Sequence, residues 1–174
     1  MKLPNLKLTQ SEVSQTFDFK EILGVDLSDF PEVKQAIGEA IIQKIIDRTA
    51  SGVDVSGKSF KKYSTNYLES DTFKAFGKSG DVDMELTGGM LGLIDIISDK
   101  GSKITIGWDD ATENAKAYNH NYGDTLPKRQ FFGITAEDVK AISKEFKPDL
   151  RRDSNDAQLI KKLNKIAGFI EDDE

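Results

Sequence analysis

The sequence predicts an α+β domain: a small antiparallel sheet, a long amphipathic helix packed across it, and further helices at the periphery. Val33, Ile37, Ile41 and Ile45 recur every four residues with Ala40 and Ile46 beside them, the signature of a helix that buries one face. Ile94–Ser98 and Lys103–Trp108 flank the turn Asp99–Ser102 as a hairpin, with Ile104, Ile106 and Trp108 on one face and Lys103 and Thr105 on the other. Too few β-α-β units are present for a parallel sheet, so helix and hairpin must bury their apolar faces on each other.

The elements follow in chain order. Residues 1–28 mix short apolar and polar runs without a helical stripe and read as an arm or a short strand, the first of three segments. The core domain spans 29–150, opening with Asp29 as N-cap, Pro31 in the first turn and Glu32 completing the box. The long helix ends near Ala50 with Gly52 as its stop. Ser64–Phe76 is expected to be helical, and Val82, Met84 and Leu86 alternate with Asp81, Asp83 and Glu85 as a strand with one wet face. Leu86–Leu93 fits a short helix, and Asp110–Asn119 a longer one with Ala111, Ala115 and Tyr118 on its inner side. Thr135–Phe146 is a further helix, capped by Thr135 with Asp138 and stopped by Pro148. The third segment, 151–174, carries Leu159, Leu163, Ile166 and Ile170 on one stripe and ends in the acidic run Glu171–Glu174.

Composition narrows the function. The chain has 174 residues, 37% hydrophobic and 31% charged, which suits one wetted globular domain. It contains no cysteine, so disulfides, thiolate metal sites and thiol nucleophiles are excluded. The N-terminal run lacks a signal-peptide core and no stretch approaches a membrane span, so a cytoplasmic origin is expected. A net charge of −6 argues against a protein that grips nucleic acid through its phosphates.

Gly52–Ser59, GVDVSGKS, satisfies every fixed position of the phosphate-binding pattern G-x-x-x-x-G-K-[ST]. Such a loop needs a strand feeding it and a helix leaving it. Here a helix precedes, FKKYSTNY is a poor first helical turn, and Leu91–Asp95 imitates the partner strand but feeds a hairpin. The second Gly-Lys-Ser, Gly77–Ser79, lacks the earlier glycine and reads as a loop. Asp81, Asp83 and Glu85 would share one strand face, without the rest of a calcium loop.

Tyr118–Thr135 carries the most information. His120, the single histidine, sits three residues before Gly123; Pro127, Lys128, Arg129, Phe131, Phe132 and Gly133 follow before the Thr135 cap. This reads as helix end, loop, short strand and helix start. One imidazole cannot build a histidine metal cage, and no G-x-S-x-G turn accompanies it. A structural role at the helix C-terminus is the expectation, the ring satisfying free carbonyls and complementing the dipole. Arg129 would either anchor an interface with the aromatics or pair with a local carboxylate, while one Phe faces the core and the other lies exposed.

The order His-x-x-Gly, a gap, Pro-x-Arg-x-Phe-x-Gly and a capped helix resembles the virion morphogenesis (tail completion) family of tailed phages. Leu86–Leu91, LTGGML, and Gly57–Lys58 followed by Tyr63 and Tyr67 match the same family in the same order, covering roughly 52–142. The chain departs from the family in having Ser59 and then Phe60 after Gly-Lys, and in its long N-terminal extension. The resemblance implies a structural virion protein of the tail or head–tail neck, with no catalytic residues, cofactor or metal. It implies a homo-oligomeric ring that meets other neck and tail proteins (tail terminator, connector or tail tube), with DNA passing through and no membrane contact. Candidate interface residues are His120, Lys128, Arg129, Phe131 and Phe132, with Leu163, Ile166 and Ile170 of the last segment. The alternatives are an enzyme, either a nucleotide hydrolase using Lys58 and Ser59 or a small hydrolase using His120, and a cytoplasmic interaction module unrelated to phage.

Overall fold

Val13, Gln15 and Phe17 alternate with Ser14, Thr16 and Asp18, and that alternation makes residues 12–18 a central strand of the sheet. The structure is a computed structural model and describes residues 5–9, 12–78, 80–85, 87–123 and 126–146. Strands β1 (Leu6–Thr9), β2 (Glu12–Asp18), β3 (Asp95–Lys100) and β4 (Lys103–Gly107) form an antiparallel sheet in the order β1-β2-β4-β3. Gln15 lies opposite Ile106 and Phe17 opposite Ile104, so their side chains share the face that holds the core.

Of the two readings of residues 1–28, arm or short strand, the strand is the one that forms, and the segment contributes to the core. Phe17, Phe19 and Leu27 are fully buried, and Val25 nearly so. Between them lies α1 (Phe19–Leu23), capped by the Asp18 carboxylate, which accepts from the N–H groups of Lys20 and Glu21. The boundary at 28/29 has no structural counterpart: β2 pairs with β4, more than eighty residues later. The last segment, with Leu163, Ile166 and Ile170, lies outside the described residues.

Helix α2 (Pro31–Ala50) crosses the core face of the sheet and buries Val33, Ile37, Ile41 and Ile45, each burial contributing about 1.5–3 kcal/mol. Pro31 starts it as expected, but the N-cap is Phe30 without a side-chain bond, so Asp29 does not cap. Gly38 lets the helix lie close: a Cβ there would come within 2.5 Å of Ile96 Cδ1 and 2.9 Å of Ile104 Cδ1. The hairpin turn is Gly101–Ser102, with Gly101 at φ 57°. Lys34 holds it by donating to the Gly101 carbonyl (2.7 Å) and pairing with Asp99, while Ser102 Oγ accepts from the Leu27 N–H.

Two expectations for this stretch fail for identifiable reasons. Ser64–Phe76 is two single turns, α3 (Thr65–Leu68) and α4 (Asp71–Ala75), because Ser64 and Ser70 each cap a new start. Residues 82–85 are not a strand; Leu86 lies outside the described residues. Val82 and Met84 are buried alternately, but Met84 takes φ 61° and the Asp83 carboxylate accepts from the Glu85 N–H, bending the chain away from any ladder. Asp83 and Glu85 accordingly converge on Lys78 (2.9 and 3.5 Å), which holds the lysine pKa above its usual value.

The short helix α5 (Gly89–Gly92) forms where expected. Helix α6 (Ala111–Tyr122) also forms, but its buried face is Asn114, Ala117 and Asn121; Ala111 and Ala115 are exposed. Two asparagines point inward because they bond backbone that lacks ladder partners: the Val13 N–H donates to Asn114 Oδ1 (2.8 Å) and the Phe132 N–H to Asn121 Oδ1 (3.1 Å). Helix α7 (Ala136–Ser143) carries the expected capping box of Thr135 and Asp138.

Candidate functional site

The loop Gly52–Ser59 does not have phosphate-binding geometry. It leaves helix α2 and doubles back through a bridge between Val53 and Ser59, and extended chain follows. Its inward N–H groups are already occupied: the Asp54 carboxylate accepts from Ser56 N–H (2.8 Å), Ser56 Oγ (2.7 Å) and Lys58 N–H (3.0 Å). Although burial opposes it, this bonding holds the Asp54 pKa below its ordinary value. The concavity that would cradle a phosphate thus holds the chain's own carboxylate.

Tyr118–Thr135 is arranged around backbone rather than a strand. Gly123 (φ 82°) ends α6 and reverses the chain; a Cβ there would sit 2.8 Å from the Lys128 backbone nitrogen. The returning Arg129 N–H donates to the His120 carbonyl (2.8 Å). That free helix-end carbonyl is therefore satisfied by backbone, not by an imidazole. The Phe131 N–H donates to the Arg129 carbonyl (2.8 Å), a tight turn that abolishes strand alternation. Both Phe131 and Phe132 are fully buried against Trp108, at ring separations of 6.1 and 4.8 Å.

Side chains replace the missing ladder. Arg48 Nη2 donates to the carbonyls of Phe131 (2.6 Å) and Gly133 (2.7 Å), and Gln15 both donates to and accepts from the backbone of Ile134 (2.8 Å each). Arg129 is 4% exposed. It donates to the carbonyls of Lys61 (2.8 Å) and Lys62 (3.3 Å) and lies 5.1 Å from the centre of the Tyr63 ring. The local carboxylate expected as a partner of Arg129 is replaced by carbonyls and a ring. Of the candidate residues in this stretch, Lys128 is exposed, His120 half-buried, and Arg129, Phe131 and Phe132 buried.

These constraints shape one groove. Its wider part, about 340 Å³, is lined by Tyr63, Tyr67, Met84, His120, Leu126 and Arg129, with Ser64 and Pro127. The adjoining part, about 270 Å³, shares Tyr67, Met84 and His120 and adds Glu85, Met90, Glu113 and Lys116 among others. Tyr63 and Tyr67 each meet Phe73 edge to face, at 5.8 and 5.1 Å, and lie tilted on each other at 5.0 Å, which stiffens one wall. Burial and then the Asp83 charge raise the Tyr63 pKa, so the phenol is neutral.

His120 touches both parts. Burial, with Arg129 nearby, lowers its pKa to about 4, so the ring is neutral near pH 7 and cannot complement the helix dipole as a cation. Its Nδ1 is buried without a hydrogen-bond partner. Among the described residues no group of three or more His, Asp or Glu could hold a metal ion, and no helix is long and apolar enough to cross a membrane.

The groove brings together Tyr63, Tyr67, Gly88, Met90, His120, Pro127 and Arg129, which come from all three stretches of the family resemblance. Sequence reasoning missed Met84, Leu126 and the Glu113–Lys116 pair as its lining. The alternation that made Met84 a strand residue was a true signal of burial. No family model, curated protein or solved structure matches the chain.

Proposed function

We propose that the chain is a structural, non-catalytic part of a tailed-phage virion, completing the tail or occupying the neck where tail meets head. What supports the reading is the convergence just described: motifs separated by dozens of residues, resembling one family in order, meet around a single groove. The buried Arg129 and Phe131–Phe132 give those motifs a physical purpose, since they rigidify a layer of loops without a ladder. A rigid, irregular surface suits repeated docking better than chemistry, and its one imidazole is neutral near pH 7 and buried beside a guanidinium.

Such a protein works by copy number. Identical subunits close a ring through heterologous contacts, and the ring offers matched surfaces to a tail terminator, connector or tail tube. The acidic balance, −6 overall, suits a wall past which DNA slides without sticking. The subunits would be made in the host cytoplasm and end in the virion.

Particles purified from the chain's source test the reading. Immunogold against the chain should mark the joint between head and tail, and loss of the gene should leave separated heads and tails. Intact particles that lack the chain would overturn it.

A further inference from the structure

The groove contains a buried charge that nothing balances. Arg129 is 4% exposed, and no carboxylate pairs with it among the described residues. Its Nε and Nη2 donate to the carbonyls of Lys61 and Lys62, while Nη1 bonds nothing among the described residues. The Tyr63 ring, 5.1 Å from the guanidinium carbon, offsets part of the cost of burial but brings no negative charge. Burial accordingly pushes the Arg129 pKa down. A buried cation is costly without an anion beside it, and the described residues supply none.

That charge borders a space a ligand can enter. Arg129 lines the wider part of the groove, about 340 Å³, together with Tyr63, Tyr67, Met84, Leu126 and Pro127. His120 lines the same space; its Nδ1 is buried without a partner, and its Nε2 has no hydrogen bond among the described residues. A neutral imidazole has one N–H to donate and one nitrogen to accept, and the described fold uses neither. Leu126 is left 41% exposed at the rim. A few convergent polar groups within an apolar and aromatic enclosure of this size are what a small-molecule site needs.

We propose that the wider part of the groove binds a small organic monocarboxylate with a ring-sized apolar body. The carboxylate accepts from Arg129 Nη1 and from the His120 ring, and the body lies between Tyr63, Tyr67, Met84 and Leu126. A monoanion is selected because one buried guanidinium balances one charge. A phosphate dianion would need a second buried cation, and the nearby Lys61, Lys62 and Lys128 are all exposed. A free acid is selected because the guanidinium is almost wholly buried: a slender arm entering the groove meets it, whereas the charged face of a folded partner stops at the rim. Glu85 and Glu113 line the adjoining part, but Lys78 and Lys116 pair with them and mute their repulsion. The inference goes beyond the assembly reading and stands or falls without it.

Proton NMR of the full chain reads the site directly, because His120 is the single histidine. Millimolar 2-naphthylacetate should shift the His120 ring signals, and calorimetry should find one site per chain. The amide of that acid, with the body but no charge, and acetate, with the charge but no body, should each bind about tenfold more weakly or worse. Arg129→Lys should weaken the acid about tenfold and the amide little. Because Arg129 also supports the Lys61 and Lys62 carbonyls, the exposed Leu126→Asp is the second variant. It should keep the near-ultraviolet signal of Trp108 and, by placing a carboxylate at the rim, weaken the acid more than the amide. No binding of 2-naphthylacetate, phenylacetate or octanoate at millimolar concentration would overturn the proposal. So would equal affinity for acid and amide, or tighter binding of inorganic phosphate. Tighter binding of a peptide that ends in a phenylalanine carboxylate would also overturn it, by moving the carboxylate to a protein chain.

Discussion

The two halves of this molecule solve the same problem by different means. In the sheet and helix α2, backbone groups pair within ladders and turns of helix, and apolar side chains such as Phe17, Ile37, Ile41 and Ile106 are free to pack. In the loop layer around the groove no ladder runs among the described residues, and the backbone is satisfied by buried and half-buried side chains: Arg48 for Phe131 and Gly133, Gln15 for Ile134, Asn121 for Phe132, Arg129 for Lys61 and Lys62. The first half should tolerate volume-conserving exchange of one aliphatic for another. The second should not tolerate an apolar isostere, because each polar side chain serves groups that cannot be exchanged with it.

The largest effect expected comes from a residue that belongs to both halves. Phe132→Ala removes a fully buried ring beside Trp108 and should cost about 3–5 kcal/mol in urea unfolding with an unchanged slope. A loss below about 1 kcal/mol would mean that the loop layer contributes little to the fold.

Acid tests the groove itself. His120 titrates near 6.5 when unfolded and at about 4 when folded, so the unfolded state binds the proton first. Stability is fully present above pH 6.5 and falls as pH drops toward 4, by about 3 kcal/mol at most from this group. Asp18, Asp54 and Asp138, whose pKa values are lowered, add to the loss at still lower pH. Urea midpoints of wild type and His120→Gln at pH 7.5 and 5 separate the terms: the variant should lose less. Equal losses would place the ring in contact with water.

Gln15→Leu distinguishes the two means of support most directly, since Gln15 lies on β2 but serves Ile134. It should cost about 2–3 kcal/mol through the orphaned Ile134 N–H and carbonyl. Hydrogen exchange should accelerate at residues 129–135 before it does in β2 and β4. Uniform acceleration would merge the two halves into one cooperative unit. The smallest effect belongs to Thr135→Ala, which removes the α7 cap and should cost about 1 kcal/mol.

The sequence was most legible where apolar period and local chemistry agree. The stripe Val33–Ile45 gave α2, the alternation Ile104–Trp108 gave β4, and Thr135 with Asp138 gave a capping box that formed as read. It misled where side chains satisfy distant backbone. Asn114 and Asn121 escaped notice because nothing local shows that Val13 and Phe132 need acceptors. Met84 read as a strand residue because alternation reports burial, not pairing. The phosphate-binding pattern misled because its fixed letters ignore the variable ones, and Asp54 at such a position fills the loop. The groove was legible only as three motifs in order; their meeting place is a property of the folded chain.

The close approach of Gly123 to Lys128 carries a consequence for engineering. The chain leaves α6 and returns to within van der Waals contact of itself before Arg129 resumes bonding with the His120 carbonyl. The excursion between them is thus closed at its base by the backbone. Each doubling of such a loop costs only about 0.6 kcal/mol in closure entropy. Lengthening it should therefore cost far less than any side chain placed at 123, which would force Lys128 away and part the Arg129 N–H from the His120 carbonyl.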